Sequence, residues 1–420
     1  MSIRILNKLL GSAVKKGTLE VISADGSSTT FGEPTEGFPV VSVKLADNKV
    51  ARDILLDPRL GAGECFMDGR LILERGGIME LVQLLRMNNT WERGGRLRSP
   101  SAFKRAKNQL SFIANSFNRP DSSKRNVAHH YDIGNDLYRL FLDEEHWQYS
   151  CAYWPNYPDG PEMTLDAAQE AKLAHIAAKL DLKPGMRVVE IGCGWGGLAI
   201  YLARKFQVHV TGITLSVEQA KLARERAEAA GVSDKIDIKL IDYREFAETG
   251  ERFDRVVSIA MFEAVGRPQF EIYFKSCGNL LKDDGVFLVH TIGRMGVPGS
   301  TDAFTSKYIF PGGYIPALSE TLAASEKVRL IATDVETLRI HYAPTLREWY
   351  KRCEANRDSI VKMFDERFYN MWTFYLAGAT AAFESGGMCN YQIQYCRSRH
   401  ALPITRDYIG ECERVLLAGS

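Results

Sequence analysis

The sequence predicts an α/β protein: a doubly wound, mostly parallel sheet preceded by a small N-terminal α+β domain. Three observations predict it. Beyond Thr164, continuous apolar strands alternate with helix-period segments, as they do where crossover helices cover both faces of a parallel sheet. The first of these strands runs into a glycine-crowded turn that opens directly into a helix. Residues 1 to about 90 lack this alternation and show short strands around an Ala24-Asp25-Gly26 turn.

At the start of the chain Ile3, Leu6, Leu10 and Ala13 share one helical face. Arg4, Lys8 and Lys15 lie off that face, and Gly17 stops the helix. Strands are expected at TLEVIS, STTFG and PVVSVKLAD, and residues 52–86 mix both periods. Between Leu81 and Arg125 ten Lys and Arg oppose only Glu92 and Asp121, a net of +8 in a chain of net +1. Within it Phe103, Ala106, Leu110, Ile113 and Phe117 recur at helix spacing. The window reads either as a solvated linker helix or as a surface for anionic lipid headgroups, each basic residue contributing about 1 kcal/mol. Nucleic acid is not expected, because no aromatic stacking platform accompanies the charge.

The alternating region then runs in order. The helix LDAAQEAKLAHIAAKL leads through Pro184-Gly185 into the strand RVVEIG. The helix GGLAIYLARKF, the strand VHVTGIT and the helix VEQAKLARERAEAAG follow. The strands KIDIKLID, DRVVSIA and GVFLVHTIG complete the sheet. From Thr345 to Gly386 the aromatics Trp349, Tyr350, Phe364, Phe368, Trp372 and Tyr375 form a stripe that reads as core before it reads as a ligand tunnel.

Composition bounds the function. A chain of 420 residues suits about two domains. Its 45% apolar and 25% charged residues exclude a disordered, collagen-like or coiled-coil protein. The balance of 53 basic and 52 acidic residues leaves no global field for nucleic acid. Eight cysteines without CxxC or zinc-finger spacing read as reduced intracellular thiols, and no metal site is expected. No apolar run reaches the roughly 20 residues of a membrane span, and the charged N-terminus does not read as a signal peptide. The expected compartment is cytoplasmic.

The chemistry concentrates at Glu190-Ile-Gly192-Cys-Gly194-Trp-Gly196-Gly197. Glycines here turn the chain tightly and let a ligand approach the backbone without meeting a Cβ. The spacing ExGxGxG resembles the first motif of class I methyltransferases, which bind S-adenosylmethionine; a nicotinamide site would want GxGxxG. The second strand ends Gly212-Ile-Thr214-Leu-Ser216, without the Asp or Glu that usually meets a ribose diol, so a hydroxyl or Gln219 must serve there.

Further motifs follow in one order: Tyr149-Ser-Cys-Ala-Tyr153-Trp154, the glycine turn, GITLSVEQ, MFEAVG at 261–266, LVHTIG at 288–293, KYIFPGGYIP at 307–316 and HYAPTL at 341–346. Together with His129-His130-Tyr131-Asp132-Ile-Gly-Asn-Asp136 upstream and the closing TRDY, they closely resemble the cyclopropane-fatty-acyl-phospholipid synthases. The resemblance covers roughly residues 125–410 and extends more loosely into the N-terminal part. It implies a class I S-adenosylmethionine-dependent methyltransferase fold with three parts. These are an N-terminal lipid-binding-like α+β domain at 1–90, a basic linker or helix at 91–125 and a catalytic domain at 126–420.

The implied reaction gives a methylene from S-adenosylmethionine to the cis double bond of a phospholipid acyl chain. An alkene is a weak nucleophile, so the sulfonium methyl must be held in line with it. A carbocation then forms in an apolar site, where carboxylate and aromatic faces with little water stabilise it. The family holds a bicarbonate ion as base. Carried over, its residues are Cys151, Glu263, His290 and Tyr342. The implied cofactor residues are Tyr149, Ser150, Glu190, Gly192, Gly194, Gly196, Thr214, Leu215, Ser216, Gln219, Tyr243 and Arg244. Cys193 reads as a packing residue. The Gly/Pro-rich stretch 291–319 reads as acyl-chain wall or lid. One departure is Ala264, where the family more often shows His. The implied partner is the inner face of the membrane, approached peripherally, and a homodimer is compatible with the resemblance. The rival readings are a same-family enzyme giving a methyl- or methylene-branched chain, a nicotinamide oxidoreductase, and a lipid-binding protein without activity.

Overall fold

The structure, a computed structural model, describes residues 2–94, 134–160 and 162–418. Its contacts divide the chain into two units.

The described part of the first unit spans residues 2–94, 301–311 and 346–388. It opens with α1 (Ser2–Ala13), β1 (Thr18–Ile22), β2 (Ser28–Phe31), β3 (Val40–Leu45), α2 (Lys49–Leu56), α3 (Pro58–Met67), β4 (Leu71–Arg75) and α4 (Ile78–Met87). The sheet order is β2-β1-β3-β4, with β1 parallel to β3 and the other pairs antiparallel. Gly17 joins α1 to β1 at φ +76°, where a Cβ would sit 2.8 Å from the Pro39 carbonyl; no other residue fits that turn. Asp57 caps α3, its side chain accepting from the Leu60 N–H at 3.2 Å.

The second unit supplies, in its described residues, 134–160, 162–300, 312–345 and 389–418. It contains α5 (Asn135–Phe141), α6 (Leu165–Leu180), β5 (Arg187–Ile191), α7 (Gly197–Phe206), β6 (His209–Thr214), α8 (Val217–Ala229), β7 (Ile236–Leu240), α9 (Tyr243–Ala247), β8 (Phe253–Ile259), α10 (Phe270–Leu280) and β9 (Leu281–Arg294). The chain then gives α11 (Ala303–Tyr308) to the first unit and returns through α12 (Leu318–Lys327) and β10 (Ile331–Leu338). Helix α13 (Tyr342–Ala355) begins in the second unit and continues in the first, which also takes α14 (Arg357–Met363) and α15 (Glu366–Glu384). Strand β11 (Met388–Cys396) and α16 (Asp407–Ala418) end the second unit.

The large sheet runs β10-β11-β9-β8-β5-β6-β7, and β9, β8, β5, β6 and β7 are parallel neighbours. This is the doubly wound sheet expected, with all five expected strands in place. Apolar residues of α6, β5, α7, β8 and β9 make one core, among them Leu173, Ile176, Val188, Leu202, Val257 and Leu288. Strands β10 and β11, an antiparallel pair, were not expected. In β11 Cys389, Tyr391, Ile393 and Tyr395 alternate with Asn390, Gln392 and Gln394, the period of a strand, and both faces are buried.

The expected catalytic span 126–420 is interrupted in the structure, because residues 301–311 and 346–388 group with the first unit. The aromatic stripe lies there. Trp349 and Trp372 are fully buried, and Phe364, Phe368 and Trp372 stack in series at 4.0 and 6.1 Å. Most of the basic window lies outside the described residues, as does His129–Ile133 of the upstream motif. Among the described residues no helix is long and apolar enough to cross a membrane.

Helix α16 is fixed to the sheet by buried charge. His175 on α6 bonds Glu413 of α16 through Nδ1 at 2.5 Å and Glu336 of β10 through Nε2 at 2.6 Å. Lys179, one helical turn on, pairs with Glu336 and with Asp334 at 3.1 Å. The ring of Tyr153 lies stacked between His175 and His341 at 4.3 and 4.9 Å.

Candidate active site

A cavity opens at the carboxyl ends of β5, β6 and β8, where open α/β sheets bind ligands. The chain leaves β5 at Glu190 and turns through Gly192 (φ +82°), Gly194 (φ +52°) and Gly196 (φ +78°) into α7. The three glycines do different work. A Cβ on Gly196 would press on Ala223 of α8 at 3.1 Å, whereas one on Gly194 would meet nothing within 4 Å. Gly194 therefore leaves an empty cradle at the ligand's approach. Cys193 packs inward, lying 3.0 Å from where a Cβ on Gly212 would stand, which fits a packing role.

Ten of the twelve expected cofactor residues line this cavity: Tyr149, Ser150, Glu190, Gly192, Gly194, Thr214, Leu215, Gln219, Tyr243 and Arg244. Gly196 and Ser216 do not. Gly196 starts α7, and Ser216 caps α8 by accepting from the Gln219 N–H at 3.2 Å. At the end of β6 the Thr214 hydroxyl donates to Gln219 Oε1 at 3.0 Å, so the polar pair expected to replace an acid is preformed. Residues missed from the sequence also line the cavity, including Trp147, Gln148, Trp195, Asp242 and Met261. The signal for Asp242 was one residue away: its carboxylate pairs with Arg244 at 2.7 Å and caps α9.

Burial sets the electrostatics. It pushes Glu190 up to about 8, and its Oε2 is enclosed with no hydrogen-bond partner. An enclosed acceptor without a donor is costly unless a ligand supplies one. The glycine cradle and this bare carboxyl oxygen suit a nucleoside ligand that carries a cationic group.

The four expected base-site residues do not line the cavity but lie in elements around it. Cys151 follows Ser150 and is fully buried, and burial holds its thiol protonated. Glu263 sits in a short 3₁₀ turn after β8, between the cavity-lining Met261 and Ala264. Its Oε1 accepts the Ile292 N–H at 2.5 Å, while Oε2 is enclosed and makes no hydrogen bond, the Thr291 hydroxyl lying close to the carboxyl. Burial pushes this carboxyl up to about 7. His290 lies on β9, paired with Ile259, and is fully buried. Burial first, and then the nearby charges of Lys172, Lys179 and His175, push it far below the usual imidazole range, so it is neutral.

The ring nitrogens of His290 face the side-chain amides of Asn390 at 3.0 Å and Gln392 at 3.1 Å. A neutral imidazole has one donor and one acceptor, so one of these amides must turn its oxygen to the ring. Both amide oxygens are otherwise enclosed without partners. His290 can therefore meet a further ligand only by displacing Asn390 or Gln392. Tyr342 begins α13 and is buried, one residue after His341, whose Nδ1 accepts the Trp154 N–H at 2.9 Å. Thr345 then holds the Cys151 segment from the same helix, accepting from the Ala152 N–H at 3.2 Å and from the Trp154 indole at 3.0 Å.

The chain is similar to known proteins over most of its length. Residues 118–393 match the family model described as mycolic acid cyclopropane synthetase. The chain is 36% identical over 380 residues to the cyclopropane-fatty-acyl-phospholipid synthase of Escherichia coli K12, covering 90% of this chain and 92% of that one. It is 39% identical over 290 residues to a probable fatty acid methyltransferase of Pseudomonas putida, covering 67% and 72%. Among solved structures, mycolic acid cyclopropane synthase CmaA1 complexed with SAH and CTAB matches at a TM-score of 0.59 and 32% identity, over 65% of this chain and 97% of that one. The chain thus belongs to the mycolic acid cyclopropane synthetase family and is an S-adenosylmethionine-dependent methyltransferase of class I fold.

Proposed function

We propose that the enzyme adds a methylene to the cis double bond of phospholipid acyl chains, giving cyclopropane chains, with a bound bicarbonate as general base. The observation that carries the reading is Glu263, an enclosed carboxyl with one oxygen tied to Ile292 and the other bare, set beside the cofactor cavity. Similarity over 90% of the chain to a synthase of this name supports it.

Bound S-adenosylmethionine supplies a sulfonium methyl open to attack by an alkene. Tyr149, Ser150, Glu190, the glycines of the turn, Thr214, Leu215, Gln219, Tyr243 and Arg244 hold it. Gly196 and Ser216 act one step back, by starting the helices that carry the others. Bicarbonate would be held by Glu263, His290, Tyr342 and the backbone at Cys151, and supplies a proton acceptor. The bare Oε2 fits its O–H; His290 fits once an amide gives way. A carboxyl near 7 can accept or return a proton at Oε2 near neutrality. Ring closure needs removal of a proton from the newly added methyl carbon, and the surrounding apolar burial keeps water from competing.

Peripheral association with the inner membrane face, a cytoplasmic location and a homodimer belong to the same proposal. The probable fatty acid methyltransferase relative favours a second reading, a methyl- or methylene-branched product. Expression in a cell lacking cyclopropane lipids, followed by fatty-acid analysis, tests both. New chains heavier by one CH₂ that take up no hydrogen under mild hydrogenation support the cyclopropane. Chains of the same mass that still take it up support the methylene branch.

A further inference from the structure

Besides Lys179, helix α6 carries two fully buried polar side chains that the reaction above does not use, Gln169 and Lys172. Three residues apart, they lie on one helical face. Gln169 Nε2 donates to the carbonyls of Gln148 at 3.3 Å and Ser150 at 3.0 Å. Lys172 Nζ donates to Gln148 Oε1 and, at 3.2 Å, to Ser150 Oγ. Gln148 and Ser150 both line the cofactor cavity. One residue of the pair thus fixes the backbone of this wall and the other its side chains.

Lys172 is an unusual object: an ammonium with no exposed surface and, among the described residues, no carboxylate within 4.0 Å. It uses two of its three donors. The charged or titratable groups facing it are Asp143, Cys151, Glu190 and His290. Asp143 is spent on backbone, accepting from the N–H of His146 at 2.8 Å and of Gln148 at 2.7 Å. Cys151 and His290 are held neutral by burial. Glu190, with its bare Oε2, is the group left to balance the ammonium.

We propose that Lys172 is a positioning residue for the cofactor, setting the Gln148–Ser150 wall and supplying a buried positive charge that opposes protonation of Glu190 where a cationic ligand binds. S-adenosylmethionine carries a net positive charge through its sulfonium, so an ionised Glu190 attracts it and a protonated one does not. Burial pushes Glu190 up to about 8, and the Lys172 charge opposes that rise; the ammonium itself is pushed down to about 8. Cys193 is the other titratable group coupled to Glu190, and burial holds it as a thiol. Without the Lys172 charge Glu190 should ionise at higher pH.

The test is calorimetric titration of the full chain with S-adenosylmethionine from about pH 6.5 to 9.5, with no turnover involved. The ratio of the variant's Kd to the native Kd cancels the ligand's own titration. For Lys172→Met the ratio should be about tenfold below pH 8 and shrink towards one above pH 9, as expected for one opposite charge removed. Lys172→Gln, which keeps amide donors for the wall but not the charge, should show the same pH trend if the Met variant does not fold. Lys172→Arg, which keeps the charge, should not show it. On a Glu190→Gln background the trend should vanish. A ratio of one throughout, or a ratio constant with pH, overturns the proposal, because packing alone weakens binding equally at every pH. A trend that survives Glu190→Gln overturns it as well.

Discussion

Glu263→Gln is the most informative single change, because the structure predicts its effects on stability and on turnover separately. The native carboxyl is raised from 4.5 to about 7 by enclosure. In an unfolded chain it ionises near 4.5, while in the folded protein it stays neutral until about 7. Stability contributed by the neutral form is complete below 4.5 and is lost as pH rises through 7. The gap of about 2.5 units corresponds to roughly 3 kcal/mol. Glutamine cannot titrate, so the variant escapes this loss. It carries instead a pH-independent cost of about 1–3 kcal/mol, since its NH₂ replaces an enclosed Oε2 that makes no hydrogen bond. The melting temperature of the variant should therefore lie below the native one at pH 5 and recover relative to it by pH 8. The relative gain should be about 5–10 °C for a domain of this size. Turnover on phospholipid vesicles should fall by about 10²- to 10⁴-fold, the worth of a placed proton acceptor. Cofactor affinity should hold, because Glu263 does not line the cofactor cavity, and a loss confined to the transition state lowers kcat and kcat/KM together. A melting difference that does not change with pH refutes the buried titration, and near-native turnover removes Glu263 from the mechanism.

Other changes probe other parts of the molecule. Gly194→Val fills the empty cradle at a left-handed φ of +52°, so cofactor binding should be lost with the fold retained; calorimetry giving an unchanged Kd would place the cofactor elsewhere. At His175 burial lowers the pKa, but bonds to Glu336 and Glu413 outweigh it and leave the value raised. That stabilisation is complete below 6.5 and is lost as pH rises through the raised value. The penalty of His175→Gln, read as hydrogen exchange in residues 407–418 relative to the native chain, should shrink across that window; a constant penalty refutes the charged bridge. If the basic window from Arg86 to Arg125 meets headgroups, vesicle binding should need anionic lipid and weaken with salt; equal binding to neutral vesicles at high salt defeats it.

The parallel sheet was legible because its strands are apolar throughout and its turn must be glycine, and both facts are local. The turn at Glu190–Gly194 was legible for the same reason, and it lines the cavity together with Thr214, Leu215 and Gln219. What escaped has a common physical cause: partners distant in sequence. Gln148 and Lys172 stand 24 residues apart, and only the fold makes them a buried pair. His290 read as a free ligand because nothing local announces Asn390 and Gln392, about 100 residues on, against its ring. Strand β11 was legible too, since Tyr391, Ile393 and Tyr395 alternate with Asn390, Gln392 and Gln394, and its omission has no physical cause. Residues 346–388 group by contacts with the first unit, although the resemblance implies one span from 126 to 420. Periodicity shows that a face is buried, never against what.

The departure at Ala264 can now be placed. It lines the cofactor cavity and is exposed there, while Glu263 beside it has its carboxyl enclosed and tied to Ile292. Neighbours on a tight turn point different ways, so the family's more usual His would enter the cavity rather than approach the base. Loss of a proton from the added methyl closes the ring if it precedes a 1,2-hydride shift and gives the methylene branch if it follows one, and that timing is decided at the base. Ala264→His should therefore weaken S-adenosylmethionine binding, because the imidazole takes up space in the cofactor cavity. It should leave the ratio of cyclopropane to branched chains as in the native enzyme. Fatty-acid analysis of products from both proteins, made in parallel in cells lacking cyclopropane lipids, measures that ratio. A shift from one product class to the other in the His variant would mean that residue 264 reaches the reacting carbons and that the cavity and the base site are not separate.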